Sequence, residues 1–449
     1  MTKKIDILSL TPFSQTTFDV ALISSAGGAG HKIAALAIKS AHPGDCYEIN
    51  TFGTLGKIGK ACTNSWDKAQ KQGNVKKQIK LAKRQGFAEA LFSVPIYFRI
   101  CYVLLRYDID KIIDTQAIGT RPIVRAARTV NFIYRLFRKK KVITVWKIFI
   151  ELPNAKSLYY HRYIKKLSKK DKKIFKFISI NPSLKTSEEE ENFWKKFCNL
   201  SLMKGEIVYA DSPIRKEFLA YKDCPPKPNE LAIAINTEEE LTILRSLHDE
   251  LGPCINLDSP QKLLHIPVKS DDIVMTLMLG SQVAEKATFN YVSSVLKLEE
   301  IAKTKNKKIY FFVFCNKHIP QQETLFKKVA DLIKSQQCEN PHIKIIPLTF
   351  QNASEIASLM YRSDIAIIRT GAQASHEVKN VVQGQILIHS EATNSSGDQM
   401  ELLKGIPLWE GGNAQFLIEN HQAKIVNPDI LKNHLEDYLL ERFDDHYLA

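Results

Sequence analysis

A histidine stands where a glycine-rich loop turns into a helix. The run Ser25-Ala26-Gly27-Gly28-Ala29-Gly30-His31 follows the apolar stretch Val20 to Ile23 and leads into an alanine-rich segment with helical spacing. A glycine loop between a strand and a helix lets backbone N–H groups approach a ligand, and the helix dipole adds roughly half a positive charge there. A histidine at this junction faces the cleft at the carboxyl end of the strand. With an unperturbed pKa of about 6.5, it can take a proton from a substrate hydroxyl. It can equally hydrogen-bond a loop carbonyl and do no chemistry, and the loop alone leaves both readings open. The pattern departs from the dinucleotide fingerprint GxGxxG. No acidic residue stands in the usual place after a second strand, although Glu48 comes close, so a dehydrogenase is not expected. Asp108-Ile109-Asp110 offers two carboxylates that could hold a divalent cation. It follows a basic amphipathic stretch and leads into a strand, so we expect no metal site there.

The elements that must position these residues alternate regularly. Strand 18–24, the glycine loop and a helix from about His31 to Ser40 open the chain. A basic amphipathic region, 57–107, follows. Strands are expected at 111–114, 142–150, 174–180 and 206–210, with helices through Arg128 and over 187–197. After an irregular stretch, 221–268, read as a linker or insert with a helical piece at 238–252, alternation returns. Strands at 273–279, 308–316, 343–348, 364–369 and 384–390 each precede a helix or a turn, and a helix closes the chain over 428–445. Short strands alternating with helices mean parallel sheets. Two such sets predict an α/β protein of two Rossmann-like, doubly wound domains, 1–222 and 223–449, facing a cleft.

The 449 residues suit two domains of roughly 200 residues each. Eight cysteines form no CxxC pair, so a zinc site is not expected, and reduced, mostly buried thiols fit a cytoplasmic protein. The first residues lack a long apolar core and a cleavage site, so no signal peptide is expected. The most apolar window, 91–105, is about 15 residues long and holds Pro95 and Arg99, too short and polar to span a bilayer. The net charge of +15 hides an asymmetry: residues 1–222 carry +23 and residues 223–449 carry −8. Such a field favours an anionic partner for the first half. Residues 57–107 interleave lysines with Phe87, Phe92, Ile96, Tyr97, Phe98 and Tyr102, which suits an anionic membrane surface. Packing of those aromatics into the core is the competing reading. Nothing resembles a base-stacking sheet or a groove-reading helix, so no nucleic acid is expected.

Five separated stretches, in order, resemble one glycosyltransferase group. Its members are monogalactosyldiacylglycerol synthases, diacylglycerol glucosyltransferases and the MurG-like peptidoglycan N-acetylglucosaminyltransferases. The stretches are the loop 25–31 with Ala34-Ala35, 211-DSPIRKEF-218, 275-MTLMLGSQVAEKATFN-290, 364-DIAIIRTGAQASHE-377 and 407-PLWEGGNAQFLIENHQA-423. The resemblance implies a GT-B fold, with the acceptor on the N-terminal domain and a nucleotide-sugar, a UDP-sugar in particular, on the C-terminal domain. It implies that Glu377 binds the ribose diol and that Gly280 and Ser281 lie beside the diphosphate. Arg369, Gly371 and Ser375 then line the same wall. Glu410 and Asn413 would contact the donor sugar. Gly27, Gly28 and Gly30 would shape the acceptor loop, with His31 as general base in an inverting displacement on a lipid or other hydroxyl acceptor. No metal and no resident cofactor are implied, and the protein is expected to be cytoplasmic and peripheral at a membrane.

Departures leave alternatives open. Val283 stands where the group has glycine, and Trp409 where it has glutamine. An extra stretch, 391–406, supplies Asp398-Gln399, which could replace Glu410 and Asn413 as the sugar contact. A protein or soluble acceptor, or a degenerate nucleotide-sugar or membrane-binding protein, are the competing functions.

Overall fold

The computed structural model describes residues 17–24, 29–182, 184–248, 254–256, 262–336, 342–393 and 396–443. The first sheet contains β1 (Val20–Ser24), β2 (Cys46–Asn50), β3 (Lys111–Asp114), β4 (Thr144–Ile148), β5 (Phe175–Ser179) and β6 (Ile207–Tyr209). Their order is β2-β1-β3-β4-β5-β6, with every pair parallel. A small antiparallel sheet follows: β7 (Glu230–Ile235), β8 (Cys254–Asn256) and β9 (Lys262–Pro267), in the order β7-β9-β8. The second large sheet contains β10 (Ile273–Met278), β11 (Ile309–Phe314), β12 (Ile343–Leu348), β13 (Ile365–Ile368), β14 (Gln385–His389) and β15 (Lys424–Val426). Its order is β12-β11-β10-β13-β14-β15, again all parallel.

The apolar runs explain the strands. All six residues of β11, IYFFVF, are buried, as a parallel strand covered by helices on both faces requires. Each large sheet reverses its strand order once, between β1 and β3 and between β10 and β13. Loops leaving the carboxyl ends at such a reversal splay apart and open a crevice. The helix Ala29–Ala41 follows β1 directly in the described residues and carries Gly30 and His31 at its start, and the loops after β10 and β13 hold Gly280 and Gly371. Two Rossmann-like domains thus face one another with these loops between them, which is the GT-B layout.

Between β2 and β3 the chain makes α2 (Gly56–Lys71), α3 (Val75–Lys83) and α4 (Gln85–Arg106), with α1 (Ala29–Ala41) preceding them and α5 (Thr120–Leu136) following β3. α4 packs on α5, where Tyr134 Oη donates to the Leu104 carbonyl at 2.7 Å. Its inner face, Phe92, Ile96, Ile100, Val103 and Leu104, lies in the N-terminal core. Phe87, Leu91, Val94, Phe98, Tyr102 and Leu105 are exposed along its other side. The 22-residue helix, with an 18-residue window of mean hydropathy 1.5, is by length and composition long and apolar enough to cross a membrane. The 91–105 window is therefore the C-terminal part of a longer apolar helix. The two sequence readings of its aromatics each hold for part of them: Phe92 and Ile96 are core, while Phe87, Phe98 and Tyr102 are surface.

Two boundaries differ from expectation. Stretch 221–268 is not an irregular insert: β7 and β9 put Leu231, Ile233, Ile235, Leu264 and Ile266 into the core of the second domain. Antiparallel pairing between segments about 30 residues apart has no local signature, so the strands were hidden among prolines. Phe218 is buried against Met360, Tyr361 and Val378 of the second domain. The helix Lys216–Leu219, ahead of the expected division at 222, thus packs through Phe218 with the second domain.

Candidate active site in the interdomain cleft

The carboxyl ends of the two sheets enclose a largely apolar cleft of about 1210 Å³. Small residues set how closely its walls approach. Ala34 of α1 packs on Ile150, beyond β4, and on Ala372, the first residue of the helix Ala372–Val381 of the other domain.

His31 lines this cleft from the N-terminal side. Its Nδ1 lies 2.5 Å from the Thr115 carbonyl, and the Thr115 hydroxyl donates to the His31 carbonyl at 2.9 Å. A carbonyl can only accept, so Nδ1 carries the proton and Nε2 presents a lone pair. Burial, with the Lys147 ammonium nearby, lowers the imidazole to about 4, the Thr115 hydrogen bond working the other way. The ring is therefore neutral at pH 7, the state a proton acceptor needs. Gly30 lies beside it, 3.9 Å from Gln373 if given a Cβ. Gly27 and Gly28 lie outside the described residues.

The opposite wall is built on the helix Ala372–Val381. Gly371 precedes it and offers no side-chain cap, so the first N–H groups of the helix face the cleft. Around this end, the buried Thr370 Oγ1, Gln373 Oε1, Ser375 Oγ and His376 Nδ1 have no protein hydrogen-bond partner. Buried polar atoms without partners are rare and costly, and a helix N-terminus favours an anion. Gly280 provides the neighbouring loop with φ +82°, a left-handed turn that disfavours any side chain. Ser281 follows it in the cleft wall, its carbonyl accepting from Asn316. Val283 is buried within the second-domain core.

Glu377 is engaged. Both its oxygens accept from Arg215 at 2.7 Å, and Gln373 donates to Oε1 at 3.1 Å. A carboxylate has about four lone-pair directions, so a ribose diol would have to share it with, or displace, the guanidinium. Glu410 also lines the cleft, with Arg369 Nε 3.4 Å from its Oε2. Arg369 Nη2 reaches across to Gln78 Oε1 of α3 at 3.2 Å. Trp409 packs on Trp66 of α2, ring centroids 5.5 Å apart. The α2–α3 hairpin of the N-terminal domain thus rests on the cleft wall of the other domain.

Three residues sit elsewhere than expected. Asp398 caps a short helix through the Met400 N–H, and Gln399 is bound to both the N–H and the carbonyl of Ile425. Neither lines the cleft, and the backbone of β15 engages the Gln399 amide. Asn413 is fully buried. It accepts from the Leu152 N–H and donates to Glu151 and to the Thr370 carbonyl, which makes it a pin between the domains. Asp108 and Asp110 both pair with Lys141, at the strand end opposite the cleft. Among the described residues no group of three His, Cys, Asp or Glu side chains could hold a metal.

Sequence reasoning missed Arg215, Glu151 and His161, all of which line the cleft. Glu151 lies just beyond β4, and burial, with Glu410 nearby, raises its carboxyl to about 8 despite a 2.6 Å hydrogen bond from Asn413. Its place directly after a predicted strand was the available signal. Arg215 lay inside a quoted motif but without a partner to suggest its role.

No protein-family model matches the sequence, and a search of curated proteins finds no match. Solved structures do superpose along most of the chain. MurG of Acinetobacter baumannii is 12% identical, with a TM-score of 0.47, over 95% of this chain and 92% of that one. A UDP-forming α,α-trehalose-phosphate synthase of Burkholderia xenovorans, in complex with glucose-6-phosphate, is 11% identical, with a TM-score of 0.41, over 95% and 92%. UDP-GlcNAc 2-epimerase of Neisseria meningitidis, bound to UDP-GlcNAc, is 11% identical, with a TM-score of 0.37, over 94% and 99%.

Proposed function

We propose that this chain is a glycosyltransferase that moves a sugar from a UDP-sugar to a lipid or lipid-linked hydroxyl at the cytoplasmic face of a membrane. One observation carries the reading. A neutral histidine with a free Nε2 faces, across one cleft, an uncapped helix N-terminus ringed by unpartnered buried polar groups. In the displacement, Nε2 of His31 takes the acceptor hydroxyl proton as that oxygen bonds to the anomeric carbon. The bond from that carbon to the diphosphate oxygen breaks, and the configuration inverts. The helix Ala372–Val381, with Arg215 and Arg369 beside it, meets the charge on the departing UDP, so the step needs no metal and no resident cofactor. The exposed apolar side of α4, the apolar cleft and the basic N-terminal half favour a lipid acceptor.

The test is a thermal-shift screen of UDP- and GDP-sugars on wild type and Glu377→Gln, each referred to its own midpoint, followed by transfer to liposomal hydroxyl lipids. We expect one UDP-sugar to stabilise the wild type and to lose that effect in Glu377→Gln. His31→Ala should keep donor binding and lose roughly 10²–10⁴-fold in transfer. No stabilisation by any nucleotide-sugar would sink the reading. The Arg215–Glu377 and Trp66–Trp409 contacts favour one second reading, a nucleotide-sugar-binding protein without turnover. Donor binding with neither transfer nor hydrolysis would identify it.

A further inference from the structure

Lys147 is a lysine in the middle of a sheet, fully buried. Strand register explains its partner. Ile23 of β1 is opposite Asp114 of β3, and Asp114 is opposite Lys147 of β4. Their side chains meet as an ion pair at 3.1 Å, and Lys147 Nζ also donates to the Gln116 carbonyl. Asp114 is held in turn by the Thr120 hydroxyl at 2.9 Å and the Gln116 N–H at 3.0 Å. The chain from Asp114 to Gln116 is therefore clamped from both sides. Thr115, between them, supplies the carbonyl that receives His31 Nδ1–H.

Stability alone is a poor reason for this pair. Replacing a buried ion pair by well-packed apolar side chains is often neutral or stabilising, and Val145 and Phe149, two positions either side, show that this face of β4 accepts apolar residues. The charge has a neighbour to act on, because the ammonium lies near enough to His31 to disfavour its protonated form.

We propose that Lys147 is a positioning residue for His31: anchored by Asp114 and the Gln116 carbonyl, it holds the Thr115 carbonyl against Nδ1–H and sets its ammonium against the imidazolium. The inference rests on the reading of His31 as the proton acceptor. It adds the support of the ring's tautomer and a second contribution, after burial, to its neutrality in weak acid. The other charged or titratable groups facing this region are Asp114 from β3, Glu89 from α4 and His161 from the turn of helix Ser157–Lys166. Glu151 lies beyond β4, and the Arg215–Glu377 pair stands across the cleft. Burial works against both charges, raising the Asp114 carboxyl and lowering the Lys147 ammonium, while each favours the other's charged form; as an ion pair the two act on His31 with opposite sign.

The test is an NMR titration of the full chain carrying labelled histidine, from pH 4 to 8, with the His31 ring signals assigned by their loss in His31→Gln. It needs neither donor nor acceptor. Wild type should show the Nδ1–H tautomer and no titration of His31 above about pH 5. Lys147→Met should raise the His31 midpoint by about 1 unit, the size of effect one nearby charge gives. Asp114→Asn should lower it, and Lys147→Arg should leave it low. Opposite shifts in the first two variants cannot come from a general loosening of the fold, and Asp114→Asn with Lys147→Arg keep the test usable if Lys147→Met does not fold. An unmoved midpoint in folded Lys147→Met, or shifts of the same sign in both, would overturn the proposal. If His31→Ala retained transfer while the midpoints moved as expected, the proton-acceptor reading would fail and the Lys147–His31 coupling would stand.

Discussion

Proton inventories at single residues set how this protein responds to pH. Glu151 holds its proton up to about 8 in the folded chain, against about 4.5 for an ordinary glutamate. Between those values the folded state binds more protons than the unfolded one, so this group's stability is full below about 4.5 and is lost as pH rises through 8. Glu151→Gln should remove that loss, and denaturant midpoints at pH 5, 6.5 and 8 will show the flatter slope. His31 and His376 act on the acid side. Burial holds them at about 4 and about 3, so the unfolded chain takes up protons first as pH falls below about 6.5. Their contribution is present above 6.5 and is lost towards 4 and 3. His376→Gln should shallow the acid limb of the same measurement. Of these groups only His31 was legible, because a histidine on a glycine turn has a local signature. His376 and Glu151 take their character from burial against the other domain, with the Ile150 carbonyl and Asn413 as partners there that work against each shift.

At the scale of one element, α4 divides cleanly. Leu91, Val94 and Phe98 project outward from a helix whose other side is core. Changing all three to glutamate should abolish flotation with anionic vesicles. Each change should move stability by no more than about 0.5 kcal/mol, as exposed substitutions usually do. Ile100→Ala, on the buried side, should cost about 2–5 kcal/mol while leaving vesicle binding of the folded protein intact. Flotation assays and urea melts on the same preparations separate the two. Amphipathic periodicity marked this region as a helical surface element. It did not mark which aromatics were inside, because the helix is apolar on both sides and only the packing of α5 chooses between them.

Across the whole molecule, several of the contacts that join the domains converge on Asn413. It links Leu152 and Glu151 of one domain to Thr370 of the other. Asn413→Ala leaves buried partners unpaired, each costing about 1–3 kcal/mol. We expect faster hydrogen exchange at 149–152 and 370–377 and a larger radius of gyration in solution scattering, with little change in the exchange of β11 and β12. An unchanged exchange pattern would show that Ala34, Ile150 and Ala372 suffice to hold the cleft.

The sequence by itself determined what depends on neighbours along the chain: alternating buried strands and helices, two doubly wound sheets, and the glycine turn at Gly280. It also determined the charge split between the halves. Tertiary structure alone decided which polar groups meet. Arg215 and Glu377 are 162 residues apart, and Asn413 and Glu151 are 262 apart. Whether a carboxylate is free, paired or protonated follows from such partners and from burial. Gly280 could be read from its turn, whereas Gln399 and Asn413 could not be read as structural until the backbone groups they satisfy were in place.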